Sequence, residues 1–291
     1  MTTAADDEQG FHASPEEIRA IWESNARTWA LRSWPRRPSP DDLGIYRRLA
    51  RERLARRTML LGATPELRDL LAEGSAPVVV DSSAAMFAAT TELLRAADPA
   101  LETWVQADWR ELPFEADSFD LILGDMIWWG LSLRRQREVL AEIARVLAPD
   151  GLYIGRLRCT DRTRTGQDAT EAVRRFLARV EAAPEEAPRV QGLMLAWLYD
   201  HTQRAELHRL DRERTRALLV ELAERAEFER HRDYLREAAS LVIGANWTSQ
   251  TREELLELFA TRMELVAEER AADYDSRLQP IVALRPLVVE Q

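Results

Sequence analysis

Short apolar runs alternate with longer segments of helical period through the middle of the chain, and longer helical patterns flank that region on either side. Thr58-Met59-Leu60-Leu61 reads as a strand that stops at Gly62, and Thr64-Pro65-Glu66 supplies an N-cap, a first-turn proline and an acid for a helix through about Ala72. Pro77 to Val80 is a β-branched run ending in Asp81, suited to a strand covered on both faces. A helix over Ala84–Ala97, a strand over Thr103–Gln106, a strand over Phe119–Leu123 and a helix over Leu133–Leu147 follow. Ala148 to Gly151 has the composition of a turn, and Leu152–Leu157 is a fifth strand. Five strands with helices between most of them imply an α/β fold, a doubly wound and mostly parallel sheet with right-handed crossovers. Ligands of such sheets bind at the carboxyl ends of the strands. Gly62 to Glu66, Asp81, Asp108 and Asp125 all stand at such ends.

Before the first strand the pattern is helical and aromatic. Ser14 caps a helix opening at Pro15-Glu16-Glu17 and carrying Ile18, Ile21, Trp22 and Trp29; Pro35, Pro38 and Pro40 interrupt before a second helix over Asp41–Arg56. After Thr160 helices are expected over Ala169–Val180, Ala205–Phe228 and Thr251–Phe259, with a break at Pro184–Pro188. Met263–Arg270 and Leu278–Leu284 then read as an antiparallel hairpin, giving seven strands in all. The organisation expected is an N-terminal helical lid over 1–57, a ligand-binding core over 58–160, a helical insertion over 161–260 that faces substrate or a second copy, and closing strands over 261–291. The apolar positions Leu218, Leu219 and Leu222 fit either an internal core or a homodimer contact.

Composition removes several alternatives. The formal charge is −10, and all 40 cationic side chains are arginine, the vocabulary of a GC-rich bacterial coding sequence. That balance argues against nucleic acid as the main partner, and the absence of lysine excludes a Schiff-base or P-loop lysine. No run is apolar and long enough to span a membrane. No export signal is legible at the N-terminus, and Cys159 alone makes no disulfide, so the cytoplasm is the expected compartment. The four histidines, His12, His201, His208 and His231, have no metal-ligand spacing, and no metal is expected.

Four segments in this order resemble the class I S-adenosylmethionine (SAM)-dependent methyltransferases. Met59 to Glu66 stands where that family has its glycine-rich loop, and Val78 to Met86 is similar to its second strand, terminal acid and following helix. Gln106 to Trp109, Leu112-Pro113-Phe114 and Asp117 to Asp120 match its third- and fourth-strand region, and Leu140 to Gly151 the approach to strand five. The resemblance implies a Rossmann-like core, SAM as cofactor and S-adenosylhomocysteine as product. Carried onto this chain, Gly62, Ala63, Thr64, Pro65 and Glu66 form the loop near the ligand, where small residues permit close approach. Asp81 takes the ribose diol, and Ser82 and Met86 also line the cofactor; Asp108 and Trp109 take the adenine; Asp125 and Met126 lie by the methionine part. Only Gly62 remains of the family's alternating glycines, a departure that leaves open a decayed pocket.

Trp29 and Trp34, on the segment that covers the cofactor in that family, are candidates to enclose the sulfonium by cation–π attraction, or simply to staple lid to body. Trp128, Trp129 and Tyr199 are candidates for the acceptor pocket, Trp104, Trp197 and Trp247 for core or interface positions. Asp125 or His201 is the candidate base. N/D-P-P-Y/F is missing after strand four, and the lysine tetrad is impossible, which leaves a small-molecule substrate bound between lid and insertion. Two rivals stand beside methyl transfer: SAM cyclisation or aminocarboxypropyl-type transfer that releases methylthioadenosine, and a SAM-binding module without catalysis.

Overall fold

The computed structural model describes residues 15–205, 208–242 and 247–287; Ser14, expected as a helix cap, lies outside them. Helix α1 (Pro15–Thr28) ends in a 3-10 turn over Trp29–Leu31. Helix α2 (Pro40–Ala50) begins with a capping box in which Ser39 and Asp42 satisfy each other's backbone N–H. It stops six residues before the expected Arg56 because the Arg53 and Arg56 N–H groups turn back to the carbonyls of Ala50 and Arg53, leading the chain into the sheet.

The core alternates as the apolar pattern requires: β1 (Thr58–Leu61), α3 (Pro65–Leu71), β2 (Val78–Asp81), α4 (Ala84–Thr91), β3 (Thr103–Gln106), β4 (Phe119–Asp125), α5 (Leu133–Val146) and β5 (Leu147–Arg156). Helix α4 is shorter than expected, since Asp69 draws the N–H groups of Arg95, Ala96 and Ala97 onto its carboxylate and out of helical register. The β3-to-β4 crossover carries turns and no helix, unlike a regular alternation. The turn expected at Ala148–Gly151 is a bulge inside β5: Leu147 pairs with Phe119 and Leu152 with Leu121, and the residues between loop out.

The insertion differs most from the sequence pattern. Pro188 starts a helix here instead of breaking one, sitting in the first turn of α7 (Ala187–Thr202), which follows α6 (Ala169–Ala182). The single helix expected over Ala205–Phe228 is divided by the short strand β6 (Arg209–Leu210), and α8 (Arg212–Glu224) then opens on the Asp211 cap. Helix α9 (Arg232–Ser240), which no sequence signal marked, and β7 (Trp247–Thr248), the partner of β6, complete it. Leu219 and Leu222 are buried with Leu195, Leu198, Phe228 and Leu235 in a core of the insertion's own, so these leucines serve packing.

Helix α10 (Arg252–Phe259) and the strands β8 (Met263–Glu269) and β9 (Ile281–Pro286) close the sheet. The order is β3-β2-β1-β4-β5-β9-β8, parallel through β5 and antiparallel at β9 and β8. Two apolar layers cover it, one with Trp128, Ile143 and Phe259 and the other with Tyr46, Leu67 and Ile154. No helix among the described residues is long and apolar enough to cross a membrane.

Candidate active site

The strand order reverses between β1 and β4, which opens the carboxyl edge at the point where doubly wound sheets take ligands. Gly62 leaves β1 at φ +88°, a backbone region that side chains strongly disfavour. Its N–H donates to the Val80 carbonyl at 2.8 Å, and the Trp109 indole donates to the same oxygen at 2.9 Å. One carbonyl therefore ties the β1 turn, the end of β2 and the segment after β3 together. A Cβ on Gly62 would meet only the Trp109 ring, at 3.9 Å, so the space in front of the turn is open.

Asp81, the last residue of β2, accepts the Ser83 N–H at 2.8 Å and forms no ion pair among the described residues. Burial pushes its carboxyl up to about 6, against the pull of the Ser83 and Ser82 N–H groups. Ser83 caps α4 through the Met86 N–H, and Met86 itself is buried. On the next loop Thr64 stands at the α3 N-cap without making a side-chain cap bond, and Ala63, Thr64 and Pro65 are buried. Glu66 accepts from Arg37 Nε at 2.7 Å, which joins the segment after α1 to this loop; its other oxygen, Oε2, is buried without a hydrogen-bond partner.

The two remaining acids are already engaged. Asp108 is exposed and holds Arg110 through both carboxylate oxygens, a bond that keeps its pKa below the ordinary value. Asp125 ends β4 with its side chain 5% exposed, chelated by Arg156 Nε at 2.7 Å and Nη2 at 3.0 Å. Arg156 also donates to Asp42 at 2.9 Å and to Tyr274 at 3.3 Å, and its backbone N–H donates to Tyr46, whose hydroxyl donates to the Gly124 carbonyl. Burial works against the guanidinium charge, but Asp125, Tyr274 and Asp42 outweigh it and hold Arg156 far above its usual value. Met126 follows at φ 54° and ψ 27°, left-handed and unfavourable for a methionine, with its N–H on the Arg156 carbonyl at 2.8 Å.

Residues 62–151, which contain this edge, match the family model described as a methyltransferase domain. Over this stretch the core resembles a methyltransferase domain. Solved structures of methyltransferases share the fold at low identity. The 1,6-didemethyltoxoflavin-N1-methyltransferase of Burkholderia thailandensis is 15% identical with a TM-score of 0.53, over 95% of this chain and 92% of that one. The CcbJ methyltransferase of Streptomyces caelestis is 13% identical with a TM-score of 0.54, over 91% and 96%. The N-methyltransferase NodS of Bradyrhizobium japonicum, solved with S-adenosylhomocysteine, is 10% identical with a TM-score of 0.51, over 94% and 100%. No curated protein matches the sequence.

Beyond the strand ends, the structure separates neighbours that the sequence could only group. Trp128 is fully buried, donates to Tyr153 Oη at 2.9 Å and packs on Phe259, so it belongs to the core and not to an acceptor pocket. Trp129 turns the other way, 4.0 Å from Trp247 and 6.1 Å from Tyr199 between ring centroids, with its indole nitrogen buried and unpartnered. Trp34 lies under the Arg189 guanidinium at 3.6 Å and beside Tyr274, which favours the staple over an enclosure; Trp29 carries Arg32 at 5.0 Å.

Neither candidate base is arranged for the role. Both oxygens of Asp125 accept from a permanently charged guanidinium, so it serves as a strut. His201 stacks on Trp197 and holds the Arg164 carbonyl through Nδ1 at 2.9 Å. It stands two residues after Tyr199, roughly 200° around α7 and therefore away from the Trp129 side. The residues that sequence reasoning missed are Arg156, Asp42, Tyr46 and Tyr274. One signal was legible: an arginine in the otherwise apolar run Leu152–Leu157 requires a buried acid.

Proposed function

We propose that this chain transfers a methyl group from SAM to a small molecule held between the segment Trp29–Arg37 and the helical insertion. The observation that carries the reading is Asp81: a desolvated carboxylate without a guanidinium, at the end of β2, next to an open positive-φ glycine turn. A ribose diol offers two O–H donors that suit such an acceptor. The orphaned Glu66 Oε2 adds a second acceptor on the neighbouring loop, for an N–H donor such as an ammonium group. These residues fit a nucleoside with an amino-acid tail.

SAM supplies a methyl group on positively charged sulfur, and its transfer is an in-line displacement that leaves S-adenosylhomocysteine. The protein's part is to hold the acceptor in line and exclude water. Trp129, Tyr199 and Trp247 form an aromatic wall beyond the end of β4 suited to a small planar acceptor. In the Asp125–Arg156 pair the residues have a positioning role: they fix the strand ends that flank the turn at Met126. No general base is assigned, and an acceptor that is already deprotonated needs none.

Titration calorimetry with SAM and S-adenosylhomocysteine tests the reading, followed by mass analysis of SAM incubated with the protein and candidate acceptors. Micromolar binding of both, with S-adenosylhomocysteine as the product, is expected. Folded protein that binds neither refutes the assignment, and methylthioadenosine as the product replaces methyl transfer by another SAM chemistry.

A further inference from the structure

Most buried guanidinium groups outside the cofactor edge have an acid beside them. Arg68 meets Glu102, and Arg158 and Arg164 share Asp200. Arg32 and Arg36 are different. Arg32 donates to Asn25 Oδ1 at 2.6 Å and lies over the Trp29 ring; among the described residues Arg36 makes no side-chain hydrogen bond and neither arginine forms an ion pair. They meet Arg212, whose guanidinium lies 5.5 Å from the Tyr199 ring centroid. Arg32 feels the charges of Arg36 and Arg212, and Arg212 that of Arg36; burial is the first cause that lowers Arg32 and Arg212 to about 10, with Tyr199 pulling the other way in both. Arg36 is lowered by burial as well.

An acidic chain has thus gathered three positive charges where the segment after α1 meets α7 and α8. The indole nitrogens of Trp29 and Trp129 are buried there without partners, two further donors with nothing to bond. Buried N–H donors beside half-buried cations favour an oxyanion. The place is defined by its neighbours: Arg37 reaches the cofactor loop at Glu66, and Trp129 follows the end of β4.

We propose that the methyl acceptor is an organic anion, an aromatic acid whose carboxylate or phosphate is held by Arg32 and Arg36 with the Trp129 indole N–H while its ring lies against Tyr199. This rests on the methyltransferase reading for the word acceptor, but the anion site itself does not depend on it. An anion there meets the charges of Arg32 and Arg36, and the charged end fixes the orientation of the ring beside the cofactor edge.

The test follows tryptophan fluorescence of the full chain titrated with benzoate, phenyl phosphate, inorganic phosphate and the neutral control benzamide, with and without S-adenosylhomocysteine. Benzoate or phenyl phosphate is expected to bind at least tenfold more tightly than benzamide, and the stronger of the two tells carboxylate from phosphate. Arg36→Gln and, separately, Arg32→Gln are expected to weaken that anion at least tenfold, Arg36→Lys less, with S-adenosylhomocysteine affinity by calorimetry unchanged in variants whose melting curves remain cooperative. Equal binding of benzamide, or anion binding unmoved by both glutamine variants, overturns the proposal. So does an equal loss of S-adenosylhomocysteine affinity, which would give the guanidinium groups to the cofactor's own carboxylate. Anion binding that persists where S-adenosylhomocysteine never binds upholds the anion site and refutes the methyltransferase reading.

Discussion

Asp125 and Arg156 are register partners on β4 and β5, and the bidentate bond between them pairs two charges that would otherwise be stranded beneath the carboxyl edge of the sheet. Asp42 of α2 binds the same guanidinium, so the pair also locks the N-terminal helices onto the sheet. Removing the shared cation leaves two buried carboxylates facing each other. Arg156→Met is therefore expected to cost about 3–5 kcal/mol in urea unfolding, the range for breaking a buried pair from one side. Asp125→Asn, which keeps the shape and one acceptor oxygen, should cost less. An Arg156→Met protein as stable as the parent would show that the network contributes nothing.

Asp81 sets a pH dependence. Its folded value of about 6 lies above the ordinary carboxylate value, so protonation favours the fold and this contribution to stability fades as pH rises from about 4 through 6. Cofactor affinity should move the opposite way, because hydroxyl groups donate to the ionised form. At pH 5 about one molecule in ten carries the charge, and S-adenosylhomocysteine should bind roughly tenfold more weakly than at pH 7.5. Asp81→Asn should lower the affinity and flatten the profile, as calorimetry at the two pH values will show.

Gly62 combines φ +88° with open space before it. The penalty for Gly62→Ala is thus conformational, about 1–2 kcal/mol by thermal or urea unfolding. Gly62→Asn should cost less, since asparagine tolerates the left-handed region. Equal losses in both variants would point to crowding in place of backbone strain.

Trp128 and Trp129 should part company under the same substitution. Trp128→Phe removes a donor to Tyr153 and leaves a void in the core, an expected loss of about 2–4 kcal/mol. Trp129→Phe removes an indole N–H that has no partner, so its unfolding free energy should stay within about 1 kcal/mol of the parent. Denaturation curves of the two variants decide it.

Among sequence features, the apolar runs, the proline and serine starts of helices and the glycine after β1 were enough for the parallel core, because period and capping are local properties. The same was true of the acids at strand ends, whose positions depend only on where each strand stops. What the acids do was not local. Arg110 stands two residues from Asp108, a local pairing, but only folding brought Arg156 onto Asp125 and left Asp81 without a guanidinium among the described residues. The insertion was the least legible part, since Pro188 can start a helix as readily as it ends one. Arg212 is far along the chain from Arg32 and Arg36, and the three come near one another only when separate segments fold together. Local pattern decides which elements form; the pairing of charges, a long-range interaction in a medium of low dielectric, is settled by the tertiary fold alone.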